Sequence, residues 1–274
     1  MTVMVPESWM PRAPMRRVIV HWTAGGYRAN DIDRAAYHIL VEESGKLVRG
    51  THSIVANVST ADGDYAAHTL GCNTGSIGVS MCCMHGCRES PFSAGAAPMT
   101  KRQWTTMLHV VAQLCRRYAI DVTPMTVLGH GEVQRNLGIK QRSKWDPMVL
   151  PWALTLKPAA VGSLMRERVR ELLEPPPRVT VIAMGQVIGE DDAMMQDGRV
   201  FVAAEAVQRV LGWTIGDGGG PDADEREVQV APTRRIRVPA TRFGGRDFVS
   251  GAELAEELRR PVKWDPGSRT VTIT

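Results

Sequence analysis

Three consecutive prolines, Pro175–Pro177, restrict how this chain can fold more than any other feature of the sequence. Proline fixes its own φ angle and has no amide hydrogen to donate, so neither a helix nor a central strand can continue through such a run. With 274 residues the chain is long enough for two domains of ordinary size. We therefore expect domains at 1–174 and 180–274, joined by a stiff linker at 175–179.

The positive charge of the chain is concentrated in the first predicted domain. Residues 1–174 carry 20 Lys and Arg against 14 Asp and Glu, whereas the remaining residues carry 13 against 15. A mildly basic domain suits a polyanion such as nucleic acid or an anionic cell wall. Because no arginine-rich run or alternation of basic and aromatic residues is present, we do not expect a nucleic-acid partner.

Cysteine usage and hydropathy favour a protein made in the cytoplasm. The cysteines number five, and three of them fall within positions 82–87, which is a poor disulfide framework. The first residues contain prolines and no apolar run of signal-peptide length, and no stretch approaches the roughly 18 apolar residues of a membrane span. We expect no signal peptide, no transmembrane segment and no membrane insertion, so that an extracellular substrate would require a separate route of release.

Hydrophobic patterning in the first domain alternates between strand and helix. The segments with strand patterning are 17–22, 37–41, 47–49, 76–82 and 127–128. The second and third flank a turn at 43–46, which predicts a hairpin. Thr100 and Gln103 are spaced as a capping box before an amphipathic helix, and a last helix spans roughly Gly162–Leu173. The order predicts an α/β domain with a mixed central β-sheet flanked by helices.

The second domain contains an internal duplication of about 45 residues. Gly198–Val202 (GRVFV) is echoed by Gly245–Val249 (GRDFV). Each copy is followed by a helical pattern, a tryptophan and an alternating strand; these are 203–211, Trp213 and 227–230 in the first copy, and 250–258, Trp264 and 270–273 in the second. A glycine-rich loop at 216–220 lies between the copies. These short segments predict a second, smaller α+β domain.

Three potential metal ligands lie where the chain turns from strand to loop: His21, His130 and Asp146. Two imidazoles and a carboxylate form a catalytic zinc set that leaves a fourth position for water. Such an ion lowers the pKa of its water towards about 7 and polarises a carbonyl oxygen. A lone histidine at a strand end is more often structural, so these three residues need support from their surroundings.

Four blocks around these residues occur in a defined order. They are Val18–Ala24 (VIVHWTA), Tyr37–Val48 with its hairpin, His68–Val79 with its SIGV strand, and Gly129-His130 followed by Lys144–Pro147 (KWDP). Together they resemble the N-acetylmuramoyl-L-alanine amidase family of type 2, shared by phage amidase-type lysozymes and peptidoglycan-recognition proteins. The resemblance covers about residues 16–150. It implies the mixed-sheet amidase fold and a single bound Zn²⁺, with His21, His130 and Asp146 as ligands.

The resemblance also implies roles for residues around the metal. Lys144 matches a family lysine that faces the scissile carbonyl, and Tyr37 matches a tyrosine beside the metal water; both would stabilise the oxyanion. His68 and Asn73 match the substrate-groove segment and are expected to bind substrate, although Asn73 equally suits a structural role in a turn. Independently of the resemblance, Glu132 is a candidate for proton transfer because it is close in sequence to His130, with a solvated loop glutamate as the favoured interpretation.

The function implied is zinc-dependent hydrolysis of the amide bond between N-acetylmuramic acid and L-alanine in peptidoglycan. The role that fits best is a phage or prophage endolysin in host lysis. A cytosolic amidase that recycles anhydromuropeptides is an alternative, but a small soluble substrate needs no second domain as an anchor. A non-catalytic peptidoglycan sensor is another alternative. Recognition-only relatives tend to lack the third ligand or the lysine–tyrosine pair, whereas Asp146, Lys144 and Tyr37 are all present here.

The second domain resembles the copper amine oxidase N-terminal-like domain attached to many wall enzymes. The shared segments are short: Gly198–Val202, Leu211–Trp213 and Arg269–Ile273. They imply no copper, because every histidine lies before residue 131. We expect a module that binds the cell wall or a partner, with dimerisation or spacing as the alternative; the oligomeric state is left open.

Two further signals favour structure over chemistry. Cys82–Cys87 (CCMHGC) lacks the paired spacing of a metal knuckle, and its first two side chains should point to opposite faces of a strand. His38 follows Tyr37 on the predicted hairpin and should face away from it, so packing is favoured over ligation.

Overall fold

A computed structural model describes residues 4–174, 178–183, 185–196, 198–216, 225–243, 246–257 and 259–273. The chain forms two compact units, and the second begins after Glu174. The predicted linker prolines lie outside the described residues, as do 217–220 of the glycine-rich loop, Gly245 and Leu258. Within the described ranges, no helix is both long and apolar enough to cross a membrane.

The first unit contains a five-stranded mixed sheet with the order β3-β2-β4-β1-β5. Its strands are β1 (Arg17–Trp22), β2 (Ile39–Val41), β3 (Leu47–Arg49), β4 (Ser76–Met81) and β5 (Val127–Gly129). Only the edge strand β3 is antiparallel to its neighbour. Strand β4 is buried along its whole length, as expected for a central parallel strand that is covered on both faces. Because β1 and β5 run parallel, their carboxyl ends deliver residues to the same edge of the sheet.

The helices of the first unit are α1 (Asp31–Ala36), α2 (Lys101–Tyr118), α3 (Val133–Leu137) and α4 (Pro158–Leu173). Helix α2 begins at the predicted capping box, in which Thr100 and Gln103 exchange side-chain-to-backbone hydrogen bonds. The predicted start of the last helix at Gly162 is wrong. Helix α4 begins at Pro158, because proline at the first helical position has the right φ and loses no hydrogen bond.

The second unit contains a six-stranded sheet, β10-β11-β12-β13-β9-β8, and a four-stranded sheet, β14-β15-β6-β7. The strands are β6 (Thr180–Ala183), β7 (Gln186–Ile188), β8 (Ala193–Gln196), β9 (Arg199–Ala203), β10 (Thr214–Gly216), β11 (Glu225–Ala231), β12 (Arg234–Phe243), β13 (Arg246–Ser250), β14 (Val262–Asp265) and β15 (Thr270–Ile273); the helices are α5 (Ala204–Leu211) and α6 (Gly251–Glu257). With this smaller α+β unit, the predicted fold class is confirmed.

The echoed segments of the second unit form the same sequence of elements. The first copy is β9-α5-β10-β11, and the second is β13-α6-β14-β15. Strands β9 and β13 pair antiparallel around Val202 and Val249, so the two copies meet at the strands that share the GRxFV pattern. An apolar core lies beneath them, which gives this unit a hydrophobic centre of its own.

Candidate metal centre

The three predicted ligands converge at the carboxyl edge of the first unit's sheet. His21 is the penultimate residue of β1, His130 follows β5 directly, and Asp146 lies in the loop before α4. The Nδ1 atoms of His21 and His130 are 3.1 Å apart. Asp146 Oδ2 lies 3.1 Å from the first and 3.4 Å from the second. All three side chains are buried, and their ligand atoms lie close enough together for one metal ion to contact all three.

This geometry fits a tetrahedral zinc site. Zinc bound at about 2.0–2.1 Å to nitrogen and oxygen places neighbouring ligand atoms about 3.3 Å apart, close to the separations of the three atoms here. Two neutral nitrogens and one carboxylate oxygen are also a donor set that zinc prefers. A hydrolytic zinc centre uses three protein ligands of this kind and keeps its fourth position for water or substrate.

Hydrogen bonds behind the two imidazoles determine which nitrogen faces the metal position. His130 Nε2 lies 3.0 Å from Gln141 Oε1, and His21 Nε2 lies 3.3 Å from His68 Nδ1. His68 Nε2 in turn faces the carbonyl oxygen of Ser76 at 3.4 Å. A hydrogen on the far nitrogen of each ligand leaves its Nδ1 lone pair free for a cation, as is usual for metal-bound histidines.

The backbone segments that carry two of the ligands are in direct contact. Gly131 N–H donates to the carbonyl oxygen of Asp146 at 2.8 Å. A Cβ atom at Gly131 would lie 2.5 Å from Met148 Cγ and 2.9 Å from Trp145 Cα. Only glycine permits this approach without a shift of the neighbouring chain. The separation of the two ligands is therefore set by backbone contact as well as by side-chain rotamers.

The protonation of the ligands suits cation binding at neutral pH. Burial lowers the pKa of His21 to about 4, which keeps its imidazole neutral. Burial acts to raise the pKa of Asp146, but contacts with His130 and His21 outweigh it and hold the pKa below its ordinary value. The site therefore offers the negative charge of Asp146 and a neutral nitrogen donor from His21.

Tyr37 and Lys144 lie close to this cluster. The ring of Tyr37 is 5.1 Å from that of His21, measured between centroids. Burial and the charge of Asp146 raise the pKa of Tyr37, so its phenol remains a hydrogen-bond donor throughout the neutral range. Lys144 is exposed, and its charge contributes to the lowered pKa of His21. Their proposed contacts with substrate remain predictions.

His68 is buried and Asn73 is half-buried. His68 is 6% exposed, and its two nitrogens face Thr69, His21 and the Ser76 carbonyl. Asn73 Oδ1 accepts from Thr69 N–H at 2.8 Å, which matches the structural turn role left open for it. Substrate contact by either residue remains a prediction, and the geometry gives His68 a supporting position behind His21.

His38 has the packing role that its sequence position favours. Its Nδ1 accepts from Gly78 N–H at 2.9 Å, and its Nε2 lies 3.0 Å from Asn57 Oδ1. Burial lowers its pKa to about 4.

Cys82, the first cysteine of the CCMHGC segment, is buried, and burial raises the pKa of its thiol to about 12.

The expectation that Glu132 is a solvated loop residue is wrong. Its side chain is buried and forms two hydrogen bonds with Arg166 of α4, at 3.0 and 3.1 Å. Gly129 N–H also donates to it at 2.9 Å. Gly162 leaves the space that this carboxylate fills, since a Cβ there would lie 2.2 Å from Glu132 Oε1. Glu132 therefore ties α4 to the turn that presents His130.

Sequence patterns did not indicate Gln141 or Arg166. Gln141 lies in an irregular loop, and Arg166 lies on a helix where charged residues are ordinarily exposed. One sequence signal could have indicated Arg166. It follows Gly162 by four residues on the same helix, so the two residues share a face. No local pattern distinguishes Gln141 from its polar neighbours.

Comparison with known families identifies an amidase family. The sequence profile of a family described as N-acetylmuramoyl-L-alanine amidase matches residues 11–148, half of the chain. All three converging ligands, together with Tyr37 and Lys144, fall inside the matched range. A comparison with curated protein sequences finds no match.

Several solved structures show distant similarity. The endolysin amidase LysCS from Clostridium intestinale is 15% identical, with 51% of this chain and 79% of that chain covered and a TM-score of 0.33. The Ph2119 endolysin of a Thermus scotoductus bacteriophage is 16% identical, with 58% and 87% covered and a TM-score of 0.34. A complex of peptidoglycan recognition proteins LCa and LCx with tracheal cytotoxin is 18% identical, with 52% and 86% covered and a TM-score of 0.31. TM-scores this low assign neither fold nor activity.

Proposed function

Because the chain belongs to the N-acetylmuramoyl-L-alanine amidase family, we propose that it is a zinc-dependent hydrolase of the bond between N-acetylmuramic acid and L-alanine in peptidoglycan. The observation that carries this proposal is the convergence of His21, His130 and Asp146. Their ligand atoms lie 3.1–3.4 Å apart in a buried site. Both imidazoles also have hydrogen-bond partners at Nε2, on the side away from the metal position. Such partners favour a metal site over a chance cluster of polar residues.

The proposed chemistry divides between the metal and nearby side chains. Zinc would supply a Lewis acid for the amide carbonyl and a source of nucleophilic water. Tyr37 would donate its phenolic hydrogen to the oxygen that gains negative charge as the carbonyl is attacked. Lys144 would add positive charge at the same oxygen from the exposed side of the site. Glu132 is excluded from a direct role in this proposal, because Arg166 and Gly129 occupy its carboxylate.

The test is hydrolysis of purified cell-wall sacculi by the purified chain, with and without a chelator. We expect new L-alanine amino groups to appear, to stop appearing when the chelator is added, and to return with zinc. Binding to sacculi without release of amino groups would favour the non-catalytic sensor instead. Metal analysis of the purified protein provides an independent readout, with about one zinc per chain expected for a single three-ligand site.

We also propose that the protein acts as a phage or prophage endolysin and that its second unit binds the wall or a partner. A separately folded unit with its own apolar core can carry a binding surface without altering the metal centre. Deletion of residues 178–274 should spare hydrolysis of soluble muropeptide and slow lysis of whole walls. Equally fast lysis of sacculi by the shortened chain would contradict the anchoring role.

A further inference from the structure

The side chain of Gln141 connects the metal centre to two surrounding loops. Its Oε1 lies 3.0 Å from His130 Nε2. Its Nε2 donates to the carbonyl oxygens of Leu70 at 2.9 Å and Ile139 at 3.3 Å. The residue is 8% exposed, and its backbone N–H donates to Gln134 Oε1 at 3.0 Å. Hydrogen bonds therefore fix both the backbone and the side chain of Gln141.

The two carbonyl partners determine the orientation of the amide. An amide nitrogen carries two hydrogens and no lone pair for accepting, whereas its oxygen only accepts. The reversed amide would place its oxygen against the carbonyl oxygens of Leu70 and Ile139, leaving all three without a donor. The oxygen of Gln141 must therefore face His130.

An acceptor at this position determines the tautomer of His130. Because Gln141 Oε1 can only accept, His130 Nε2 must carry the hydrogen, and the Nδ1 lone pair is then directed at His21 and Asp146. The partner is a neutral amide rather than a carboxylate, so it orients the imidazole without adding charge to the centre. The bond to the Leu70 carbonyl extends the same support to the loop that carries His68 and Thr69.

We propose that Gln141 is a positioning residue for the metal centre: its amide oxygen fixes the Nε2–H tautomer of His130 and so presents Nδ1 to a divalent cation. This inference rests on the proposed zinc dependence but does not depend on which amide is hydrolysed. Loss of such a partner behind a metal ligand typically weakens metal binding by about 10–100-fold.

Two substitutions at Gln141 separate positioning from packing. Both Gln141→Leu and Gln141→Glu lose the two donations to backbone carbonyls, so both should lower the midpoint of thermal unfolding of the metal-free protein. Only Gln141→Glu keeps an acceptor for His130. We expect zinc affinity, measured by competition with a chromophoric chelator, to fall about 10–100-fold in the leucine variant. In the glutamate variant it should equal or exceed that of the original protein.

Gln103→Leu provides the matched control. Gln103 is buried as well, and its Nε2 also donates to two backbone carbonyls, those of Val41 and Cys82. It has no described contact with a metal ligand, so its replacement should lower stability and leave zinc affinity unchanged. A second readout is ¹⁵N NMR of the metal-free protein. It should show His130 with its hydrogen on Nε2 in the original and glutamate forms, and a mixture of tautomers in the leucine form.

The outcomes discriminate clearly. Weaker zinc binding by the leucine variant alone supports the inference. Equal losses in the leucine and glutamate variants, or no loss in either, overturn it and leave the proposed amidase function standing. An original protein that binds no zinc overturns the proposed function and this inference together.

Discussion

The two units of this chain bury polar groups in very different numbers. In the described residues, the buried polar side chains of the second unit are Arg226 and Ser250, and all the others belong to the first unit. The second unit pairs its charges near the surface, as in the contacts of Asp192 with Arg209 and Arg246. Apart from Arg226 and Ser250, the described side chains buried in the second unit are apolar.

Some buried polar groups of the first unit serve the fold, such as Gln103 at the start of α2, but folding alone does not explain the cluster of candidate metal ligands. Burying an unpaired polar group costs free energy, and even a paired one contributes little compared with an apolar side chain of the same shape. The second unit reaches a packed core with few such groups, Arg226 and Ser250 in the described residues. The group that lies around the carboxyl ends of β1 and β5 therefore points to chemistry, which this polar network would support at some cost in stability.

Removing a ligand should have the largest effect. We expect Asp146→Ala to abolish stoichiometric zinc binding and to lower turnover on muropeptide by about 10³-fold or more, because two neutral imidazoles alone hold zinc weakly. Asp192→Ala in the second unit is the control and should leave both quantities unchanged. Metal analysis and an amino-group release assay measure them. Near-normal turnover by the first variant would remove the metal centre from the proposed function.

The buried ion pair beneath the site should make the next largest contribution. Arg166→Met leaves the carboxylate of Glu132 buried without its main partner, and we expect the free energy of unfolding of the first unit to fall by about 3–5 kcal/mol. Arg235→Met breaks an exposed pair with Glu227 in the second unit and should cost about 0–1 kcal/mol there. Hydrogen exchange of strand amides, measured at increasing urea concentrations, gives the free energy of unfolding of each unit separately. Equal losses in the two units would contradict the contrast between them.

Acid should destabilise the first unit before the second. The folded pKa values of His21 and His38 are about 4, below the value of 6.5 expected in an unfolded chain. As pH falls below 6.5, the unfolded state takes up protons that the folded state does not, so stability is lost progressively until pH reaches about 4. Each histidine accounts for up to about 3 kcal/mol.

The second unit contains no histidine, so its stability should not respond to histidine titration. Unfolding by urea at pH 7 and pH 5, with metal removed, measures the difference. A first unit that is equally stable at both values would show that these imidazoles are protonated inside the folded protein.

The smallest effect should come from a single phenolic oxygen. We expect Tyr37→Phe to lower kcat by about 10²-fold, because one hydrogen-bond donor to the developing oxyanion is lost. Zinc affinity and stability should change little, since the ring and its packing against His21 remain. Steady-state kinetics on soluble muropeptide test this, with Tyr27→Phe as a control at a half-buried tyrosine whose hydroxyl donates to the Pro98 carbonyl. An unchanged kcat would remove Tyr37 from the mechanism.

Sequence patterns predicted the parts of this molecule that local physics determines. The β-branched run of β1, the hairpin of β2 and β3 and the capping box of α2 each depend on neighbouring residues, and each was confirmed. Helices α1 and α3 were missed because they span six and five residues, too short for a clear helical periodicity.

The candidate metal site was only partly predictable. Its three candidate ligands were predicted from recognisable blocks of sequence, whereas the residues that hydrogen-bond behind them come from distant positions. Glu132 is buried because Arg166 reaches it from 34 residues away, and Gln141 is oriented by the carbonyl of Leu70, 71 residues earlier. Hydrogen bonds over such separations exist only once the chain has folded, so no local pattern records them.

The bond between Gly131 and the Asp146 carbonyl has a consequence for how such a protein can diversify. This bond fixes the base of the loop between the two residues, and the hydrogen bonds of Gln141 fix its middle. Arg142 and Ser143 in the same loop are exposed to solvent. Mutations that lengthen this exposed segment or change its charge should leave the three candidate ligands in place. Related proteins can therefore differ in this segment and keep the same arrangement of candidate ligands beneath it.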